Sequence, residues 1–137
     1  MKKIFILIIF FFTINISSTC AATKWSKIYV YKHTDYKGSI FYFDQESVKI
    51  KGNIRYGTFL MDYSKPLGNL DGKDVNSSIE EKEFRCKEKR FTNIKVTFFS
   101  KNMGKGTPLA IDNSIVWEYV KKEKPLARTT FAVVCGK

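Results

Sequence analysis

From Lys24 to Val120 the chain is a succession of short segments that alternate apolar with polar residues or crowd aromatic and β-branched ones together. A period of two sends successive side chains to opposite faces of an extended strand. Segments of this length bounded by Gly, Pro, Asn, Asp and Ser read as strands, so most of the chain is expected to be β. "KWSKIYVYK" (24–32) is the first, with a turn over 33–38 and "SIFYFD" (39–44) behind it. "QES" (45–47) reads as a tight turn into "VKIKGN" (48–53). "IRYGTFLMDYS" (54–64) is long, and Gly57 within it marks a bulge or a close packing contact. Pro66, Gly68 and Gly72 make 65–74 a surface loop. Two long strands follow, 76–87 and 90–101, then a turn over 101–106, a strand over 107–111 and a short one over 115–120.

The start of the chain has another character. Lys2 and Lys3 precede the apolar run Ile4–Phe12, which is too short to span a bilayer, and "SSTCAA" (17–22) supplies small residues for a signal peptidase. Residues 1–22 are expected to be a signal peptide cut after Ala22, leaving one domain over 23–137 with no transmembrane segment. A lipoprotein signal acylated at Cys20 is the competing reading. Ser17 and Thr19 stand where that processing prefers an aliphatic residue and a Gly, Ala or Ser.

Export leaves two cysteines, Cys86 and Cys135, in an oxidising environment. They are expected to form a disulfide, against the alternative of two buried thiols. Closing a loop of that length stabilises by about 4 kcal/mol on a chain-entropy estimate. Cys86 shares a strand face with Phe84, and in the next strand Ile94, Val96 and Phe98 oppose Lys95 and Thr97. Cys86 therefore points inward, which suits a structural role over a reactive one. The tail, Thr129–Cys135, has the composition of an edge strand. Yet Pro125 suits a first helical turn, and Ala127, Phe131, Val134 and Cys135 follow one helical face. The helix is the preferred reading, docked on the sheet through Cys86.

Charge narrows the partners. The chain carries 24 basic and 13 acidic residues, a net charge of +11 that becomes +9 once Lys2 and Lys3 are removed. A basic exported domain suits acidic partners: lipid headgroups, sulfated glycans, acidic host proteins or extracellular nucleic acid, with no specific nucleic-acid recognition expected. The alternative is that lysines solubilise the surface and guard strand edges. Candidate binding residues are Lys49, Lys51, Arg55, Lys87, Lys89 and Arg90, on strands or at their ends, and Lys137, since lysine-binding host domains capture a free C-terminal lysine. Strand aromatics of both parities, among them Tyr31, Phe41, Tyr42 and Phe59, allow both sheet faces to be covered, one by the tail and the other by a partner or a second copy. Half-exposed tyrosines lining strands are the competing explanation.

No catalytic constellation is legible. His33 is the only histidine and sits in a turn. "MGKGTP" (103–108) lacks the phosphate-loop pattern. Glu80, Glu81 and Glu83 lie among basic neighbours and read as salt-laced surface. No metal, cofactor or enzymatic activity is expected.

The order of several features resembles the surface-adhesin protein E family of Gram-negative bacteria. Trp25 precedes the first strand, then come Asp44, Ser47 and Val48 at the end of an aromatic strand, and Lys65–Pro66 after a long one. Cys86 with Lys89 and Arg90, Ser100, Met103, Gly104 and Gly106, Trp117 and a final Cys135 complete it. Where that family leads into its last helix with Pro-Gly-Ser, this chain has "EKPLART" (123–129). The resemblance implies an α+β, mainly β fold: a single antiparallel sheet of about six strands with a C-terminal helix tethered by the disulfide. It also implies export to the periplasm or outer cell surface, and adhesion to host extracellular-matrix or plasma proteins or acidic glycans. A periplasmic structural or envelope protein is the alternative function. A homodimer is a further expectation.

Overall fold

The structure, a computed structural model, describes residues 23–136, so the leader and Lys137 lie outside the described residues. In chain order come β1 (Trp25–Val30), β2 (Ile40–Lys51), β3 (Ile54–Asp62), a small hairpin of β4 (Asn69–Leu70) and β5 (Lys73–Asp74), β6 (Ser77–Arg85), β7 (Arg90–Lys101), β8 (Lys105–Asp112), β9 (Glu118–Tyr119) and α1 (Pro125–Cys135). The main sheet is antiparallel, ordered β1-β2-β3-β6-β7-β8, with β9 joining the first residues of β7. The expected sheet with a C-terminal helix is the architecture observed. The surface loop over 65–74 contains the β4–β5 hairpin, whose Asp71 and Gly72 both have positive φ, the backbone a two-residue hairpin turn needs.

One expectation fails instructively. "QES" does not reverse the chain: residues 40–51 form a single strand with a bulge between Asp44 and Lys49, both paired to β3. The bulge supplies its own hydrogen bonds. Glu46 N–H donates to Asp44 Oδ1 at 3.0 Å, Ser47 Oγ donates to the Asp44 carbonyl at 2.6 Å, and Thr58 N–H on β3 donates to Ser47 Oγ at 2.8 Å. With those groups satisfied, the chain loops out and rejoins the same partner. The reversal comes at Gly52–Asn53 instead.

A second bulge sits in β7. Glu81 pairs with Lys95 and Lys82 with Asn93, so Ile94 drops out of register. Residues on both sides of it then reach one face: Phe91 and Asn93 before, Val96 and Phe98 after. Ile94 was expected to share that face with Val96 and Phe98 by alternation; the bulge replaces it with Asn93.

That face holds the core. Phe43 and Phe41 on β2, Phe59 on β3, Phe84 on β6 and Phe91 on β7 are buried, with neighbouring centroids 4.9 to 6.0 Å apart. Helix α1 lies over them, burying Ala127, Thr130 and Val134 and placing Phe131 6.5 Å from Phe84. Gly57 lets the helix approach: a Cβ there would stand 3.1 Å from Val134 Cγ2. Cys86 bonds Cys135, with Cα atoms 5.6 Å apart, and ties the last turn of α1 to the end of β6. The opposite face is covered at one end by the turn Asn102–Gly104. Its Gly104 has positive φ and packs so closely that a Cβ would lie 2.8 Å from Ile79 Cδ1 and 3.4 Å from Leu60 Cδ1.

Candidate functional site

Side chains of directly paired residues leave a sheet on the same face, so register decides which candidates can meet. One row runs Lys51 on β2, Ile54 on β3, Arg85 on β6, Arg90 on β7 and Tyr119 on β9. It faces away from α1, because the adjoining row of Arg55, Phe84 and Phe91 carries the core phenylalanines. Lys49, paired with Tyr56, lies on the same outer face one row further in. Lys87 and Lys89 sit in the β6–β7 turn, and both are exposed. Between this turn and the β2–β3 turn runs a groove of about 380 Å³ lined by Lys51, Asn53, Ile54, Arg85, Lys87 and Glu88.

The two arginines of the row are already engaged. Arg85 pairs with Glu83 at 3.1 Å and Glu88 at 3.8 Å, and Arg90 pairs closely with Glu88. Both guanidinium groups lie over the Trp117 ring, at 5.0 and 4.4 Å from its centroid, where the ring quadrupole attracts them. Among the described residues, Lys49, Lys51, Lys87 and Lys89 make none of the ion pairs, so their charge is open to solvent and to a ligand.

The structure therefore gathers Lys51 and Lys87 in one groove and places Lys49 and Lys89 beside it. Arg55 does not join them. It projects from the opposite face and its Nη1 donates to the Val134 carbonyl at 2.6 Å. Lys137 lies outside the described residues. Two contributors escaped the sequence reading, Arg85 and Trp117. Alternation within 81–87 already places Arg85 on the face opposite Phe84, but its neighbour Trp117 is 32 positions away and only folding brings it close.

Glu80 also departs from expectation. Glu81 and Glu83 do project from the outer face, but Glu80 lies on the helix-facing side with Lys82 and Phe84, where Lys82 Nζ pairs with it at 2.6 Å. Strand parity with Phe84 is the signal that would have placed both inward. Elsewhere, His33 is exposed. Among the described residues, no group of three His, Cys, Asp or Glu side chains is placed to hold a metal ion. Among the same residues, no helix is long and apolar enough to cross a membrane.

The family model of surface-adhesin protein E matches residues 25–136, nearly the whole described chain. The chain belongs to the surface-adhesin protein E family. Its fold is similar to solved structures of Haemophilus influenzae protein E. Crystal form II of that protein aligns at a TM-score of 0.62 and 15% identity, over 80% of this chain and 86% of that one. A selenomethionine form aligns at 0.59 and 14%, over 71% and 79%. The structure from a non-typeable strain aligns at 0.57 and 16%, over 75% and 71%. Identities this low establish a common fold. Comparison with curated proteins gives no match. Membership of a surface-adhesin family implies an exported protein, and the family is one of adhesins, not of known enzymes.

Proposed function

We propose that this family member is an exported, non-enzymatic binding protein that grips an acidic macromolecule with the hairpin end of its sheet. The supporting observation is the groove that joins Lys51 to Lys87 across three strands, flanked by Lys49 and Lys89. Exposed lysines around a shallow groove attract sulfated glycans or acidic stretches of host matrix and plasma proteins, and Tyr119, exposed in the same row, adds contact area. Residues 1–22 act as a cleaved leader, delivering the domain to the periplasm and onward to the outer surface.

The test is binding of the purified exported protein to heparin and to matrix proteins at two salt concentrations, with DNA as a comparison polyanion. Attraction carried by exposed lysines weakens steeply with salt, because the Debye length falls from about 10 Å at 0.1 M to about 3 Å at 1 M. Reversing Lys51 and Lys87 to Glu should weaken heparin binding by about tenfold or more while the melting temperature stays unchanged. Absence of binding at low salt, or binding indifferent to both salt and reversal, would overturn the reading in favour of a structural envelope role.

A further inference from the structure

The helix does not cover the whole core face. Its C-terminal half is pinned at Gly57, Arg55 and Cys86, and beside its first turns a cavity of about 780 Å³ opens between α1, the end of β1 and the sheet centre. Pockets of this size hold small organic molecules. Its floor is unusual for a small β protein. Lys82 is only 6% exposed, and its Nζ lies 5.9, 5.8 and 5.7 Å from the centroids of Phe41, Phe59 and Phe91. Glu80 Oε2 forms an ion pair with it at 2.6 Å, and Asn93 Oδ1 accepts a hydrogen bond from it on the other side. The β7 bulge is what brings Asn93 opposite Lys82.

This floor is half used. Among the described residues, Glu80 Oε1 accepts no hydrogen bond and Asn93 Nδ2 donates none, yet both side chains line the cavity. A carboxylate oxygen and an amide N–H therefore flank the Lys82 ammonium, open to solvent and to a ligand. The facing end of α1 adds donors. Lys124 gives no side-chain cap, so the N–H groups of the first helical turn lack that partner, and Leu126 and Ala127 of that turn line the cavity. Tyr29, Tyr31, Phe41 and Phe91 supply aromatic wall. Burial, with Glu80 beside it, holds the Tyr31 phenol well above the ordinary tyrosine value, so it stands there neutral.

Charge identifies the class of occupant. The whole chain carries +11, but the cavity balances Lys32, Lys82 and Lys124 against Glu80, Glu118 and Glu123, with Lys82 paired to Glu80 and Lys124 to Glu118 at 3.2 Å, so neither sign is in excess. A simple anion would meet the carboxylates and a simple cation the ammonium groups; a ligand bearing both signs meets partners for each. We infer that the cavity binds a small zwitterion with an apolar body, an α-amino acid or short peptide. Its ammonium sits on Glu80 Oε1, its carboxylate on Asn93 Nδ2 and the helix N–H groups, and its side chain against the aromatic wall. This site lies on the opposite face from the lysine groove and is independent of it.

The experiment is calorimetric titration of the purified protein with phenylalanine and with the dipeptide Leu-Phe, beside their N-acetylated and C-amidated counterparts. The expected result is saturable binding of an unblocked ligand, weakened by roughly tenfold or more when either end is blocked. Glu80→Gln should weaken the unblocked ligand but should not weaken the N-acetylated one, and should leave heparin binding as it was. If that variant fails to fold, the blocked ligands still decide, because they act on the unaltered protein. No binding at millimolar ligand, or equal binding of blocked and unblocked forms, would overturn the inference.

Discussion

Arg55 on β3 donates to the main-chain carbonyl of Val134, at 2.6 Å and 79 residues apart in sequence. The last carbonyls of a helix lack intrahelical partners and carry partial negative charge, so a half-buried guanidinium there satisfies both needs. Arg55→Ala is expected to lower stability by about 1–2 kcal/mol. Lys49→Ala, at an exposed position, should change it by less than about 0.5 kcal/mol. Urea unfolding of both variants checks this, and equal effects would contradict it.

The contact between Gly57 and Val134 is expected to be intolerant of a single methyl group. An added Cβ at position 57 meets Val134 Cγ2 at 3.1 Å and the Phe43 and Phe59 rings at 3.4 Å. Gly57→Ala should therefore destabilise by about 1–3 kcal/mol. Pairing it with Val134→Ala should restore part of that loss, and a double-mutant cycle measures the coupling. Simple additivity would mean that the helix does not press on the sheet there.

Cys86 and Cys135 form one bond, so they should behave as one unit. Each of Cys86→Ser and Cys135→Ser is expected to lower stability by about 2–5 kcal/mol, and the double variant should be no worse than either single. Thiol counting on protein prepared without reductant should find the pair oxidised.

Alkaline pH should weaken the fold before general hydrolysis does. Burial, with Glu80 nearby, pushes the Tyr63 phenol up to about 12, against the lowering effect of its hydrogen bond with Ser78, and burial raises Tyr31 as well. A raised pKa means the folded state holds its proton more tightly than the unfolded chain. The contribution is fully present below about pH 10 and is lost as pH rises toward 12, on the order of 2 kcal/mol for Tyr63. Chemical unfolding at about pH 9 and about pH 11.5 measures it. Tyr63→Phe should flatten the decline, and an equally steep decline in that variant would count against the mechanism.

How far these features were legible depends on the range of the forces behind them. The strand segments could be read because alternation is local, and so could the helix, because Pro125 and the apolar face of 127–135 lie within one short stretch. The cysteine partner followed from counting. The close contact at Gly57 was anticipated as one of two readings, and only the position of Val134 chose between them. The bulges were not legible: Asp44 to Ser47 suits a turn or a loop-out equally well, and the hydrogen bond from Thr58 to Ser47 decides.

The sequence by itself determined a β-rich exported domain closed by one disulfide, because period, composition and cysteine count act without reference to distant residues. Tertiary structure alone decided which charges meet. Register joined Lys51 to Arg85 across β3, turned Arg55 to the helix, and, through one residue dropped at Ile94, set Asn93 against buried Lys82. Each of these depends on hydrogen-bond pairing between strands far apart in the chain, where a shift of one residue exchanges the two faces of the sheet.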